Sequence, residues 1–159
     1  MADNARKKSE RKEIIAGKVP PQNLDAEMSL LGAVLIDDEV IADASEFVSA
    51  KDFYDKRHAI IFGGMMRLYE RHKPIDLLTL TDELKKKDEL ETVGGSAYLT
   101  ELTNYVPTAA NATSYAEIVE AKAIRRRLIK AGTEIGEMGF DEESSTQDLL
   151  GQAEAELFS

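Results

Sequence analysis

The stretch VPPQNLDAEMSLLGAVLID at residues 19–37 predicts how the fold begins. Pro20 and Pro21 favour an extended backbone, because a proline restricts its own φ and disfavours the helical region for the residue before it. The Asn23 side chain can then accept a backbone N–H and cap a helix. The apolar residues that recur at helical spacing after this cap are Leu24, Met28, Leu30, Leu31, Val34 and Leu35. We therefore predict a helix over residues 24–36 whose apolar stripe is covered on more than one side.

Helical periodicity continues outward from this segment to the end of the chain. The further helices that we predict lie at about residues 39–47, 55–72, 76–87, 96–106, 111–138 and 146–158. Proline and glycine mark breaks between them, and no segment longer than three residues alternates like a strand. Gly63-Gly64 lies inside the third helix, and we attribute it to the close approach of a neighbouring helix. The predicted fold class is all-α.

We expect a globular helical bundle over residues 19–107, and over residues 108–159 either a helical hairpin or a short coiled coil. In the second half of the long helix the apolar residues alternate at spacings of four and three, as in a coiled-coil seam. These residues are Ile124, Leu128, Ala131, Ile135 and Met138. The apolar register shifts near residues 121–123, where we expect a kink or a change of packing partner.

The composition indicates a protein-interaction domain rather than an enzyme, a secreted protein or a membrane protein. The chain has no Cys, and no apolar run approaches the roughly 20 residues that cross a bilayer. His58 and His72 are separated by about 21 Å on one predicted helix, which is too far to share a metal ion. No nucleophile-elbow or phosphate-loop motif is present. We expect no catalytic residue, metal or cofactor in this chain, and a cytoplasmic location.

The charge is distributed unevenly along the chain. The net charge is −10, but residues 1–18 carry six basic and three acidic side chains. Their local charge of +3 leaves −13 on the remainder, which repels a phosphate backbone. We therefore expect no tight nucleic-acid binding by this domain, and we interpret residues 1–18 as a disordered polar tail.

A basic cluster interrupts the acidic sequence in the second half of the predicted long helix. Its members are Lys122, Arg125, Arg126, Arg127 and Lys130. A solvated helix face explains these cations without any function. A docking surface is the alternative, because Ile129 lies about 100° from the seam and beside Arg126, and arginine next to exposed apolar side chains is typical of protein interfaces.

Several collinear motifs give the chain a resemblance to a known family. Residues 19–37 resemble the opening of DnaB-type replicative DNA helicases. The other motifs are DFYDKRHAIIF at 52–62, PIDLLTL at 74–80, GGSAYLTEL at 94–102 and VPTAAN at 106–111. The resemblance covers about residues 19–158, essentially everything except the tail.

The resemblance implies a helical bundle, residues 19–107, followed by a long helical hairpin, residues 108–159, that leads toward a linker and an ATPase domain absent from this sequence. Such a domain is the non-catalytic collar of a bacterial replicative helicase. In this family such domains pair through their hairpins and assemble as a trimer of dimers. They bind the C-terminal domain of primase in the primosome and, in some bacteria, a helicase loader. ATP and magnesium are expected only for the motor domain of the full-length parent. A stand-alone helical adaptor or regulator of the replisome and a small α-helical enzyme are the alternative functions.

The resemblance also implies which residues contact partners. The positions that match the family's primase-docking surface are Arg126, Ile129, Tyr98 and Ile135, with Asp25 as a further candidate contributor. The hairpin residues expected to mediate self-association are Ile118, Ile124, Leu128, Met138, Leu150 and Leu157.

Overall fold

A computed structural model of the chain describes residues 3–6 and 18–158. Residues 3–6 form one helical turn. The predicted disordered tail, residues 1–18, lies mostly outside the described residues, and its disorder stays a prediction.

The described chain consists of α-helices and one 3₁₀ turn, and no strand occurs within residues 3–6 and 18–158. The helices are α1 Leu24–Ile36, α2 Val40–Phe47, α3 Lys56–Glu70, α4 Leu77–Lys86, α5 Gly95–Thr103, α6 Ala112–Met138 and α7 Thr146–Phe158, and the 3₁₀ turn is Ala50–Asp52. The all-α prediction is confirmed. The predicted helix limits lie within about three residues of the observed ones, and the 3₁₀ helix lies between the second and third predicted helices.

The helix starts follow the capping chemistry of the sequence. The Asn23 side chain accepts a hydrogen bond of 2.9 Å from the Ala26 amide and opens α1. The Asp55 side chain caps α3 in the same way. Asp76 and Thr79 bond reciprocally to each other's backbone amides and open α4. These side chains satisfy amide donors that the first turn of a helix leaves without an intrahelical partner.

The core of the bundle is built around α1, which is buried along most of its length. Gly32 allows α1 to approach α5, because a Cβ at this position would lie 2.3 Å from the Leu102 carbonyl oxygen. On α3, a Cβ on Gly64 would lie 3.1 Å from Leu84, as close packing predicts. The expectation is wrong for Gly63, where an added Cβ would make only ordinary contacts at 3.8 Å or more.

The apolar periodicity of α1 predicts more burial at the N-terminal end of this helix than the structure shows. The periodicity places Leu24 on the buried face, but this residue is 41% exposed. Leu30, Leu31 and Val34 are fully buried, as the wide stripe predicts. Leu24 is the first residue of the helix, so there is no preceding helical turn to cover its side chain.

The chain divides into two compact units within α6. One unit is Gln22–Ala123, and the other contains Met1–Pro21 and Ile124–Ser159. The division coincides with the register shift predicted near residues 121–123, although α6 continues through it as one helix. The bundle unit extends beyond residue 107, where the sequence predicts that the bundle ends.

Candidate protein-interaction surfaces

The second unit contains a helical hairpin whose apolar residues are exposed. The Glu134 side chain on α6 lies within hydrogen-bonding reach of the Glu156 side chain on α7, so the two helices come close at this point. No residue of α7 is buried, and the buried residues of α6 end at Ala123. Leu128 and Leu150 are 66% and 65% exposed. A hairpin with this much exposed apolar surface is typical of a helix pair that packs against a partner.

The six residues predicted to mediate self-association are divided between the hairpin unit and the bundle unit. Ile124, Leu128, Leu150 and Leu157 are exposed in the hairpin unit, and Met138 is half-buried there. Ile118 is exposed on the part of α6 that belongs to the bundle unit. All six therefore leave apolar surface accessible in the single chain.

Arg126 already makes a specific contact in the single chain. Its Nη1 donates a hydrogen bond of 2.8 Å to the carbonyl oxygen of Pro21, and the side chain is half-buried. Ile129 is one turn further along α6 and is 44% exposed. Ile135 is half-buried two turns beyond Ile129. Arg126 and Ile129, the predicted docking pair, thus combine a guanidinium that already donates one hydrogen bond with an exposed apolar side chain.

Tyr98 lies in the bundle unit, and its side chain points into the core. Only 9% of the residue is exposed, and its hydroxyl lies 2.6 Å from His58 Nε2. Burial raises the pKa of Tyr98 above its ordinary value of 10.0, against the opposing charge of Arg57. The Arg57 guanidinium lies over the Tyr98 ring, 4.4 Å from its centroid. A partner would contact Arg57 and the small exposed fraction of Tyr98.

A buried polar network connects Tyr98 to α1. His58 Nδ1 lies 2.8 Å from Glu27 Oε1, and the two residues are each 1% exposed. The Glu27 carboxylate also accepts the backbone amides of Tyr54 and Asp55, at 2.8 and 3.2 Å. Since a carboxylate can only accept, His58 donates from Nδ1 to Glu27, and its Nε2 shares a hydrogen bond with the Tyr98 hydroxyl. Every polar atom of this network has a partner, so it stabilises the junction of three segments.

Sequence reasoning missed this network. It considered His58 only as a metal ligand together with His72, and it made no prediction for Glu27. The structure buries the side chains of His58 and Glu27 in the core. The only signal was that Glu27 falls beside the buried Ala26 and Leu30 on the helical wheel, and such a signal does not name a partner.

Asp25, the fifth predicted docking residue, is exposed but has a partner. Its Oδ1 accepts a hydrogen bond of 2.7 Å from the Tyr105 hydroxyl. This bond to a carboxylate raises the pKa of Tyr105 above its ordinary value of 10.0. The contact ties the start of α1 to the segment that follows α5.

A second charged cluster lies between α3 and α4. Glu83 is buried and accepts from Arg67 Nε at 2.9 Å and from Arg71 Nη2. Arg67 also bonds to Glu89 at 2.8 Å. The hydrogen bond from Arg67 lowers the pKa of Glu83 below its ordinary value of 4.5, and Arg71 adds to this effect, while burial opposes it. The cluster is a structural tie between helices.

The described residues offer no arrangement that suits metal binding. Within residues 3–6 and 18–158, no three His, Cys, Asp or Glu side chains are grouped so that they could hold a metal ion. In the same ranges no helix is both long and apolar enough to cross a membrane.

The family model for the DnaB-like helicase N-terminal domain matches residues 19–121. The chain belongs to this DnaB family. It is 46% identical over 142 residues to the replicative DNA helicase DnaB of Leifsonia xyli and 44% identical over 142 residues to the replicative DNA helicase DnaC of Bacillus subtilis. Each alignment covers 89% of this chain and 31% of the relative, so the chain spans about a third of the curated relatives it matches.

A solved structure supports the same assignment. The N-terminal domain of DnaB helicase from Mycobacterium tuberculosis superposes with a TM-score of 0.84 at 39% identity, covering 88% of this chain and 99% of that one. The resemblance on which the sequence analysis relied is therefore confirmed. The chain corresponds to the N-terminal domain of the DnaB family, as predicted, and the named relatives are bacterial replication proteins.

Proposed function

We propose that this chain is the collar domain of a bacterial replicative helicase, that it pairs with a second copy through its hairpin, and that it docks primase in the cytoplasm. The observation that carries the proposal is the exposed apolar surface of α6 and α7 in a member of the DnaB family. The described residues leave this surface exposed, and a second hairpin of the same kind would cover it.

The pairing contact would be centred on the six predicted hairpin residues. Leu128 and Leu150 lie on different helices and are among the most exposed, so replacing both with Asp should remove the apolar contact without disturbing the bundle core. Leu78, which is 78% exposed on α4, provides a control position. In sedimentation equilibrium, Leu128→Asp with Leu150→Asp should shift the chain to monomer, whereas Leu78→Asp should not. Dimers of unchanged stability in the double variant would contradict the proposal.

The primase-docking surface would be centred on Arg126 and Ile129. Both lie on the accessible part of α6, where an arginine and an aliphatic side chain supply the composition of an interface. Ile135 would extend this surface along the same helix. Asp25 and Tyr98, the other two residues that the resemblance implies, belong to the bundle unit and are candidate primase contacts there. A helicase loader would be a further partner, and ATP and magnesium would act only in the motor domain of the parent.

Calorimetry with a primase C-terminal domain tests this docking surface. Arg126→Glu with Ile129→Asp should abolish the measured binding and leave the helicity unchanged. The matched control is Lys87→Glu with Leu78→Asp, which makes the same chemical changes at exposed positions of the bundle unit. Unchanged affinity in the Arg126 and Ile129 variant would reject the site. Sedimentation of the same variant shows whether any loss of affinity arises indirectly, through loss of the dimer.

The length of the encoded protein tests the assignment to a helicase. A motor domain encoded in the same reading frame after Ser159 is expected. A reading frame without such a domain would favour the stand-alone adaptor instead.

A further inference from the structure

A short non-helical segment, KVPP at residues 18–21, contacts the long helix α6, and we call this segment the strap. The carbonyl oxygen of Pro21 accepts a hydrogen bond of 2.8 Å from Arg126 Nη1, and both residues belong to the hairpin unit. Pro20 and Pro21 have no backbone N–H, so this end of the strap offers carbonyl acceptors and no amide donors. A guanidinium, which only donates, matches such a backbone.

Arg126 is less exposed than its neighbours on α6. Within residues 124–130, all of which the structure describes, Arg126 is half-buried and the other six are exposed. Pro21 is half-buried as well. The reduced exposure of Arg126 thus coincides with its bond to the strap. In the free chain, the strap restricts access to the cation on which the proposed docking surface is centred.

Little apolar contact holds the strap on α6. Lys18, Val19 and Pro20 are exposed, and Val19 keeps 76% of its surface accessible. Since the apolar contribution to binding scales with the area removed from water, the strap gains little from these residues. The Pro21 carbonyl accepts through one neutral oxygen, whereas a carboxylate is charged and can accept from two N–H groups of a guanidinium at once. A carboxylate on a partner is therefore a stronger acceptor for Arg126 than the strap.

We propose that the strap is an autoinhibitory contact, which closes Arg126 in the free chain and which a carboxylate of the docking partner displaces. This inference rests on the docking function proposed above and adds a mode of regulation to it. Arg125 and Lys130 are exposed near Arg126, and their positive charges would attract an acidic segment of the partner before the exchange. Release of the strap is then a step of partner binding, and its cost lowers the affinity of the free chain.

The reactivity of Arg126 toward phenylglyoxal, a reagent that modifies arginine side chains, tests the strap in the absence of a partner. Mass spectrometry of the modified full chain compares Arg126 with Arg125, its exposed neighbour. We expect Arg126 to react at least fivefold more slowly. In Pro20→Gly with Pro21→Gly the strap becomes flexible, because glycine raises the conformational entropy of the released segment. The two rates should then come within twofold of each other.

Calorimetry with a primase C-terminal domain tests whether the strap competes with the partner. Pro20→Gly with Pro21→Gly should bind at least threefold more tightly than the wild type, because release of the flexible strap costs less free energy. The matched control is Pro74→Gly with Pro107→Gly, which makes the same change at two exposed positions of the bundle unit. It should alter both the affinity and the reactivity ratio by less than twofold. Circular dichroism compares the helicity of the three proteins.

Equal reactivity of Arg125 and Arg126 in the wild type, or an unchanged ratio in the strap variant, would overturn the proposal. Primase binding by the strap variant that is weaker than in the wild type, or equal to it, would also overturn it. Val19→Gly with Pro20→Gly leaves Pro21 in place and should change both measurements in the same direction. If no form binds primase, the docking function fails, and the reactivity ratio still decides whether the strap closes Arg126.

Discussion

At the scale of single residues, the bundle depends on buried polar groups that have complete sets of partners. His58 and Glu27 are as inaccessible as the aliphatic core, and the Tyr98 hydroxyl completes their network. A buried polar atom that loses its partner retains the cost of its desolvation. Tyr98 therefore contributes to stability through its hydroxyl as well as through its ring.

We expect Tyr98→Phe to lower the free energy of unfolding by about 1–3 kcal/mol, because it leaves His58 Nε2 without a partner. Urea unfolding followed by circular dichroism measures the change. Tyr69→Phe, at a position that is more exposed, is the control and should alter stability by less than about 0.5 kcal/mol. If Tyr98→Phe weakens primase binding without lowering stability, the residue acts at the docking surface rather than in the core.

Glu83 leads to a prediction about pH dependence. Its pKa is lowered in the folded chain, chiefly by the hydrogen bond from Arg67. Its contribution is therefore fully present above the unfolded value near 4.5 and is lost as the pH falls through the lower folded value. We expect Glu83→Gln to lower the free energy of unfolding by about 2 kcal/mol at neutral pH. The difference from the wild type should shrink as the pH is lowered below 4.5.

Unfolding curves of both proteins across this pH range provide the measurement. Asp82→Asn is the matched control, because its ion pair with Lys86 is 61% exposed on both sides and should contribute little. A difference between the wild type and Glu83→Gln that grows on acidification would contradict the assigned direction of the pKa shift.

At the scale of elements, helix packing depends on where the backbones come closest. The contact between α1 and α5 at Gly32 has no space for a side chain, whereas Gly132 on α6 has no atom within 4 Å of an added Cβ. Both glycines lie inside helices, where alanine is intrinsically favoured by about 1 kcal/mol. The environment of each glycine therefore decides whether its replacement by alanine raises or lowers the stability of the folded chain.

We expect Gly32→Ala to lower the free energy of unfolding by about 3 kcal/mol or more, because α1 and α5 must separate to relieve a backbone contact of 2.3 Å. Gly132→Ala should leave the bundle unchanged and increase helicity slightly. Thermal unfolding at low protein concentration compares the two variants. If Gly32→Ala has the same melting temperature as the wild type, α1 and α5 are not packed as closely as described.

At the scale of the whole molecule, the two units differ in how far their apolar residues are buried. The unit Gln22–Ala123 contains the buried core, whereas α7 has no buried residue. A helix pair without a core of its own gains stability when a partner covers it. Self-association through the hairpin should therefore be visible in the stability of the protein.

We expect the melting temperature of the wild type to rise with protein concentration, because binding of the folded state shifts the unfolding equilibrium by mass action. In the variant Leu128→Asp with Leu150→Asp, the melting temperature should not depend on concentration. Differential scanning calorimetry over a hundredfold range of concentration makes the comparison. If the melting temperature of the wild type does not depend on protein concentration, the hairpin is stable with its apolar surface exposed.

Much of the local structure follows from the sequence because its causes are local. Caps at Asn23, Asp55 and Asp76 involve neighbours three residues away or fewer, and helical periodicity reports the buried face directly. The register shift near residues 121–123 falls beside the division between the two units, while the kink or change of packing partner expected there stays a prediction. The docking residues, by contrast, came from family resemblance and not from these patterns.

What the sequence determined by itself is the all-α class, the helix limits, the uneven charge and the family. Only the tertiary structure decided that Glu27 and His58 are paired in the core, that Tyr98 faces inward, that Arg126 bonds to Pro21 and that Asp37 and Asp43 line a groove. The physical reason is the separation along the sequence over which each kind of interaction acts. Helix propensity and capping depend on residues a few positions apart, whereas a buried hydrogen bond or a groove joins residues that are distant in sequence and become neighbours only when the helices pack.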